Sequence, residues 1–296
     1  MKLKYLPRHY HMKVWTVFLT VFISLIIALF GCFNSFPKKG LTTHRYSPTI
    51  EAKIARGETK IPSNDSSLLY YILRKHIQPP SRIPYNIRLG ISYSDDFRNK
   101  ELRLLEKLEI VNGIFVEYRA FDGLQNSHTL NLELNSDWTG LLIEPLPNLF
   151  QELKNRHRLA CIANVCVSVN YPTMVYISES GGNLKYSWED ETQTIYTTFV
   201  NKDSLSEREN DDENLYYKVE CFPLSSILWA MNITSVDFLV LRLDELDFPV
   251  LETFPFDTIH IKVITLKHQN IPLKDKPKIK MLMKMKEYDC VYENSK

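Results

Sequence analysis

Glycine is scarce in this chain, with 9 residues among 296. A typical protein carries about 7% glycine. The shortage excludes collagen-like, Gly-rich linker and Gly-based repeat architectures. It also leaves few residues from which to build a glycine-rich phosphate loop. An excess of positive charge is missing too. Lys and Arg total 36 against 35 Asp and Glu, a formal net charge of +1. A nucleic-acid binder needs a basic excess to neutralise phosphates, so that class is excluded. Hydrophobic content is 44% and charged content 24%, ordinary for a chain that buries a core.

One long apolar run is present. Val14 to Phe33 holds no charged residue. Twenty helical residues rise about 30 Å, one bilayer core. The span is longer than the apolar region of a cleaved signal peptide, so it reads as an uncleaved transmembrane anchor. Lys2, Lys4, Arg8 and Lys13 precede it, and Lys38, Lys39 and Arg45 follow. This charge bias toward the N-side is small. The sequons at Asn64 and Asn232 lie C-terminal to the span, as do Cys161, Cys166, Cys221 and Cys290. Both features suit an oxidising, glycosylating lumen. The expectation is a single-pass protein with a cytoplasmic tail (1–13), an anchor (14–33), a lumenal stalk with a short helix (34–87) and a lumenal domain (88–296).

Beyond the anchor, periodicity sets the order of elements. The stalk is rich in Pro, Lys, Thr and Ser. Residues 67–77 read as a helix with a Ser cap, stopped by Pro79 and Pro80. Residues 95–108 read as an amphipathic helix with Leu102, Leu105 and Leu108 on one stripe. Short apolar runs then alternate with helical patterns: strand 113–118, helix 127–135 capped by Ser127, strand 140–145, helix 146–156 and strand 159–168. Next come an alternating strand at 173–178, a long acidic loop over 179–214, strand 216–222 and helix 223–232. Strand 236–243, short helix 248–254, strand 258–268, helix 276–288 and a last strand from Cys290 complete the chain. Buried apolar runs alternating with helices imply an α/β, doubly wound, Rossmann-like parallel sheet, preceded by the transmembrane helix. Ligands of such sheets sit at the carboxyl ends of the strands. Those ends are Glu117-Tyr118-Arg119, Glu144-Pro145 and Leu241-Arg242-Leu243-Asp244.

Two acids at successive strand ends suit a nucleoside cofactor, because a carboxylate can hold both ribose hydroxyls. The stretches FVEYRAFDGLQNSHTLNLELNSDWTGLLIEPLPNLFQEL and YKVECFPLSSILWAMNITSVDFLVLRLDELDFPVLETFPF resemble the FkbM-type methyltransferase domain, in particular its membrane-anchored Star branch in animals. The resemblance implies a methyltransferase fold and S-adenosylmethionine as cofactor. It places Glu117, Asp122, Gly123 and Glu144 at the cofactor-binding positions. The Star branch implies a trafficking factor that helps membrane-tethered growth-factor precursors leave the endoplasmic reticulum for the Golgi and endosomes.

Departures from the family pattern concentrate at the same edge. Arg119 stands where the family has Gly, Arg242 where it has Asp, Glu245 where it has Gly, and Lys267 where it has an acid. Bulk and positive charge oppose a sulfonium ligand there, so the cofactor residues read as vestigial and no catalytic residue is assigned. The alternative is an intact S-adenosylmethionine-dependent O-methyltransferase, with Arg119 swung outward to pair with Glu117 or Asp122. Asp122 also suits a turn before Gly123, and Glu144 a helix-capping acid.

His260 and His268 lack acidic or Cys neighbours at metal spacing, so no metal site is expected. Four lumenal cysteines allow three pairings. Cys161 and Cys166 are an odd number of residues apart on one expected strand and point to opposite faces. Cys166 with Cys221 is preferred, since both lie on expected strands of the domain that carries the resemblance; buried thiols are the alternative. The lysine- and methionine-rich helix from Lys274 to Lys286 reads as the solvated face of a helix that covers the sheet.

Overall fold

The computed structural model describes residues 48–55, 60–87, 96–180, 183–188, 217–267 and 271–291. Val14 to Phe33 lies outside the described residues, as do the acidic run over 207–214 and His268. Among the described residues no helix is long and apolar enough to cross a membrane.

Three elements precede the main sheet: α1 (Pro48–Ala55), α2 (Ser66–Lys75) and β1 (Ile77–Gln78). The cap of α2 is Asp65, whose Oδ1 accepts from the backbone N–H of Ser67 at 2.9 Å and Leu68 at 3.0 Å. A carboxylate suits the positive end of the helix better than the expected Ser does. The segment expected as stalk carries a second helix and joins the core, burying Ile50, Ile54, Ile61, Leu68 and Ile72.

The sheet itself begins after α3 (Asp96–Lys107), with β2 (Ile114–Tyr118), α4 (Leu130–Asn135), β3 (Thr139–Ile143), α5 (Pro147–Asn155) and β4 (Cys161–Ala163). Leu105 is buried and Leu102 packs against the core, but Leu108 is exposed because α3 has already ended. Helix α4 starts later than expected, at Leu130, with Thr129 at the cap position. The expected single strand over 159–168 is two strands. Its second half is β5 (Cys166–Ser168), which belongs to another sheet. Asn164 makes the break: its Nδ2 donates to the carbonyls of Glu144 at 2.7 Å and Pro145 at 3.1 Å, turning the chain away from β4.

The remaining elements are β6 (Thr173–Ser180), β7 (Asn183–Trp188), β8 (Tyr217–Pro223), α6 (Leu224–Ala230), β9 (Ser235–Leu241), α7 (Asp247–Thr253), β10 (His260–Leu266) and α8 (Lys276–Met285). Strand β7 occupies part of the stretch expected as loop. No strand forms at residues 290–291, where the last one was expected.

Six strands make the main sheet in the order β1-β4-β3-β2-β9-β10. All its pairings are parallel except β1 with β4. A second sheet, β5-β8-β6-β7, is mixed and was not anticipated. Alternation along the central strands sends side chains to two cores. Phe115, Leu142, Ile162, Phe238 and Val240 meet Leu105, Leu132, Phe150 and Leu153 on one face. Val116, Leu141, Ile143, Leu239 and Leu241 meet residues of α2, α6, α7, α8 and the second sheet on the other. Each large side chain so buried contributes roughly 1.5–3 kcal/mol. Both faces are therefore covered, which is the doubly wound arrangement.

Gly140 is fixed by this packing. A Cβ there would stand 1.9 Å from the Phe115 carbonyl oxygen, so only glycine lets β3 lie in register beside β2.

Candidate functional site

Strands β2 and β9 are parallel neighbours at the centre of the sheet. From β2 the chain proceeds to β3 on one side, and from β9 to β10 on the other. The order therefore reverses between β2 and β9, and the crevice beyond their carboxyl ends is the ligand position of this architecture. Glu117, Arg119, Glu144 and Arg242 all converge on that edge, and Lys267 follows the end of β10.

Glu117 is fully buried on β2. Its Oε2 accepts from Ser127 Oγ at 2.9 Å and Thr129 Oγ1 at 2.6 Å, and its Oε1 from the His128 backbone N–H at 3.0 Å. Arg242 Nη2 stands 3.5 Å from Oε1. Burial alone would raise the carboxyl pKa. The Arg242 charge, with the His128 and Thr129 contacts, more than reverses that, so the group is held below the usual glutamate range. Glu117 is thus a buried anion satisfied by its own chain.

Arg242 leaves the end of β9 and reaches back over β2. Its Nη1 donates to the Arg119 carbonyl at 3.0 Å and its Nη2 to the Asn126 carbonyl at 2.8 Å. Arg119 crosses the other way, with Nη1 donating to Asp244 Oδ2 at 3.3 Å. Both guanidiniums lie over the Phe121 ring, at 5.0 Å for Arg119 and 5.4 Å for Arg242. Arg119 is only 1% exposed, so it has not swung outward as the alternative reading required. Its backbone nevertheless keeps the left-handed torsion that glycine adopts freely, with φ at 58°. That conformation costs a non-glycine residue on the order of 1–2 kcal/mol. The local chain path is therefore of the kind the family's glycine permits, with a long cation placed on it.

Glu144 is 1% exposed just after β3. One oxygen accepts from the Phe121 backbone N–H at 2.8 Å and the other from the Leu146 backbone N–H at 2.9 Å. The second contact is a turn bond to the residue at the cap position of α5, so Glu144 shapes the entry to the helix and does not cap its first-turn N–H groups. Asp122 shapes its turn: Oδ1 accepts from the N–H groups of Leu124 at 3.0 Å and Gln125 at 2.8 Å. Arg156 Nη2 pairs with the other oxygen at 2.5 Å. Gly123 follows with φ at +72° and its α-carbon against Leu153.

Several participants carried no sequence signal. Phe121 is an ordinary loop aromatic until two arginines stack on it. Asp244 read only as part of a strand end. Glu101 on α3 lies 2.5 Å from His128 Nδ1 through its Oε2. Asp247 is fully buried beside the site, with one oxygen bonded to the Leu243 N–H at 3.1 Å and the other without a partner. Burial, with help from nearby Asp244, pushes its carboxyl up to about 8.

Cys166 and Cys221 are joined in a disulfide between register partners of β5 and β8. Asn64 and Asn232 are both exposed. Glu245 is exposed. Among the described residues no three His, Cys, Asp or Glu side chains gather at a distance that could hold a metal ion.

A doubly wound sheet with acids at successive strand ends defines a nucleotide-binding class of fold. Residues 117–292, more than half of the chain, match the family described as the methyltransferase FkbM domain, and the chain belongs to that family. No curated protein and no solved structure matches it.

The cofactor of that family, S-adenosylmethionine, does not fit the residues as they stand. Two buried guanidiniums stack on Phe121 at the switch-point edge, where the cofactor of this architecture would approach. A ligand there would have to displace guanidiniums that are stacked on Phe121 and already paired with Asp244 and Glu117. Glu117 and Asp244 are the anions at this edge, and both are already engaged by the chain's own arginines.

Proposed function

We propose that this chain is a single-pass membrane protein of the Star branch whose methyltransferase-like domain works in the lumen as a binding module, not as an enzyme. It assists the vesicle-mediated movement of membrane-tethered growth-factor-type cargo from the endoplasmic reticulum toward the Golgi and endosomes. One observation carries this reading: Arg119 and Arg242 tie the ends of β2 and β9 together across the position where the cofactor would lie. A family fold that fills its own cleft keeps its surface available for another task. The apolar run at 14–33, the exposed asparagines of both sequons and the Cys166–Cys221 disulfide support a lumenal placement.

The test is removal of the chain from cells that carry a tethered precursor, with endoglycosidase digestion of the chain itself. Retention of the precursor in the endoplasmic reticulum and a mobility shift on digestion are expected. Normal export, or unchanged mobility, contradicts the reading.

The second reading is an S-adenosylmethionine-dependent O-methyltransferase. It is favoured by the strand order and by Glu117, Asp122, Gly123 and Glu144, which keep their places at the strand ends. On that reading Arg119 and Arg242 must withdraw before the cofactor enters. Transfer of labelled methyl groups from the cofactor to a hydroxyl acceptor, lost on Glu144→Ala, is its signature.

A further inference from the structure

Strand β10 is an edge of the main sheet. It pairs in parallel with β9, and among the described residues no strand lies along its other side. The direction of its peptide groups follows from one bond. The N–H of His260 donates to the Thr234 carbonyl at 2.9 Å, so His260 faces β9. Directions alternate along a strand, so Lys262, Ile264 and Leu266 face β9 as well. The N–H and C=O groups of Ile261, Val263 and Thr265 therefore point away from the sheet. Tyr288, just after α8, agrees with this: its hydroxyl donates to the outward Ile261 carbonyl at 2.6 Å. Its ring stacks on Phe256 and closes that end of the edge. Among the described residues nothing bonds the outward groups of Val263 or Thr265.

An open edge is a template for another strand. The seven residues of β10 include no Gly or Pro, and Ile261, Val263, Ile264 and Thr265 are β-branched. Edges are commonly protected by charge. The charge on this strand, Lys262, is already balanced, with Nζ 2.6 Å from Asp237 Oδ1. The free groups are also self-complementary. Set antiparallel to itself about Ile264, the strand places Val263 opposite Thr265 of a second copy, and Thr265 opposite Val263. Both are hydrogen-bonded pairs, which exchange two N–H···O=C bonds each, so every outward group of the two residues is used. Ile264 meets its counterpart on the axis in a non-hydrogen-bonded pair, with α-carbons about 4.5 Å apart. Lys262 stands opposite Leu266, so no like charges are opposed. The Ile261 carbonyl stays with Tyr288, which bounds the pairing to 262–266.

We propose that β10 is the docking edge for a second copy of this chain, which pairs with it antiparallel about a two-fold axis at Ile264 and joins the two six-stranded sheets into one. A two-fold contact of this kind is closed, because each copy consumes the edge of the other. It does not depend on the reading of 14–33 as an anchor, and it leaves the switch point between β2 and β9 untouched. Pairing over 262–266 buries less than the standard interface of about 1,600 Å², so a micromolar dissociation constant is expected.

The full chain in detergent, at about 100 μM, is the material for the test. Light scattering corrected for detergent should give the mass of two chains. Val263→Pro removes an outward N–H and leaves the ladder to β9 intact, so this variant should be a folded monomer with a thermal midpoint close to that of the parent. In a Cys290→Ser background, Ile264→Cys should form a disulfide between copies under mild oxidation at least about tenfold faster than Thr265→Cys, because only position 264 meets itself at bonding distance. A monomeric parent overturns the proposal. So does a dimer that survives Val263→Pro, or cross-linking equal at 264 and 265, since either places the contact elsewhere. If Val263→Pro fails to fold, the comparison of the two cysteine variants decides.

Discussion

Replacing Arg242 with Ala removes the charge that faces Glu117 in a fully buried setting. Glu117 would keep its bonds from Ser127, Thr129 and the His128 N–H, but lose the guanidinium at 3.5 Å. The carbonyls of Arg119 and Asn126 would lose their donors as well. Breaking a buried ion pair by deleting one partner costs about 3–5 kcal/mol, mostly from the stranded charge. The pH dependence separates that cause from lost packing. In the parent, the folded pKa of Glu117 is depressed, so its contribution is present above the ordinary glutamate pKa and lost as pH falls through the folded value. In the variant, burial dominates and raises the folded pKa. Its penalty is then full above the ordinary pKa and shrinks as Glu117 becomes protonated. Urea unfolding of the detergent-solubilised chain should show a deficit of about 3–5 kcal/mol near pH 7 and about 1–2 kcal/mol near pH 4. A deficit under about 1 kcal/mol, or one independent of pH, would refute the assignment of Arg242 as the partner of a buried anion.

Asp247→Asn should stabilise the chain at neutral pH. A folded pKa raised to about 8 means stability is lost as pH climbs from the ordinary aspartate range through that value. The gain should reach about 4 kcal/mol near pH 7 and vanish near pH 4 in the same urea assay. Cys166→Ala/Cys221→Ala should cost about 2–4 kcal/mol, and a reductant should lower the thermal midpoint of the parent but not of this variant.

The parallel core was legible because each of its strands is an apolar run that sits between helical patterns. Residues 114–118, 139–143, 235–241 and 260–266 fall where periodicity put them, within a residue or two. The second sheet was not legible for a physical reason. Its strands are joined by contacts far apart in sequence, such as Thr173 with Cys221, and no local pattern encodes such pairing. The split of 159–168 depended on one side chain, Asn164, finding two carbonyls that only the fold brings near. At the site, strand ends identified Glu117, Glu144, Arg119 and Arg242 as neighbours. The direction in which the arginines point was not encoded there. It follows from Phe121 and Asp244, which supply a flat surface and a counter-charge.

The filled crevice is tested most directly by isothermal titration of the full-length chain with S-adenosylmethionine. With Arg119 and Arg242 held over Phe121, no binding heat is expected at ligand concentrations up to about 1 mM, which corresponds to less than about 4 kcal/mol of affinity. A saturable isotherm with a micromolar Kd would contradict it and return the chain to the enzymes of its family.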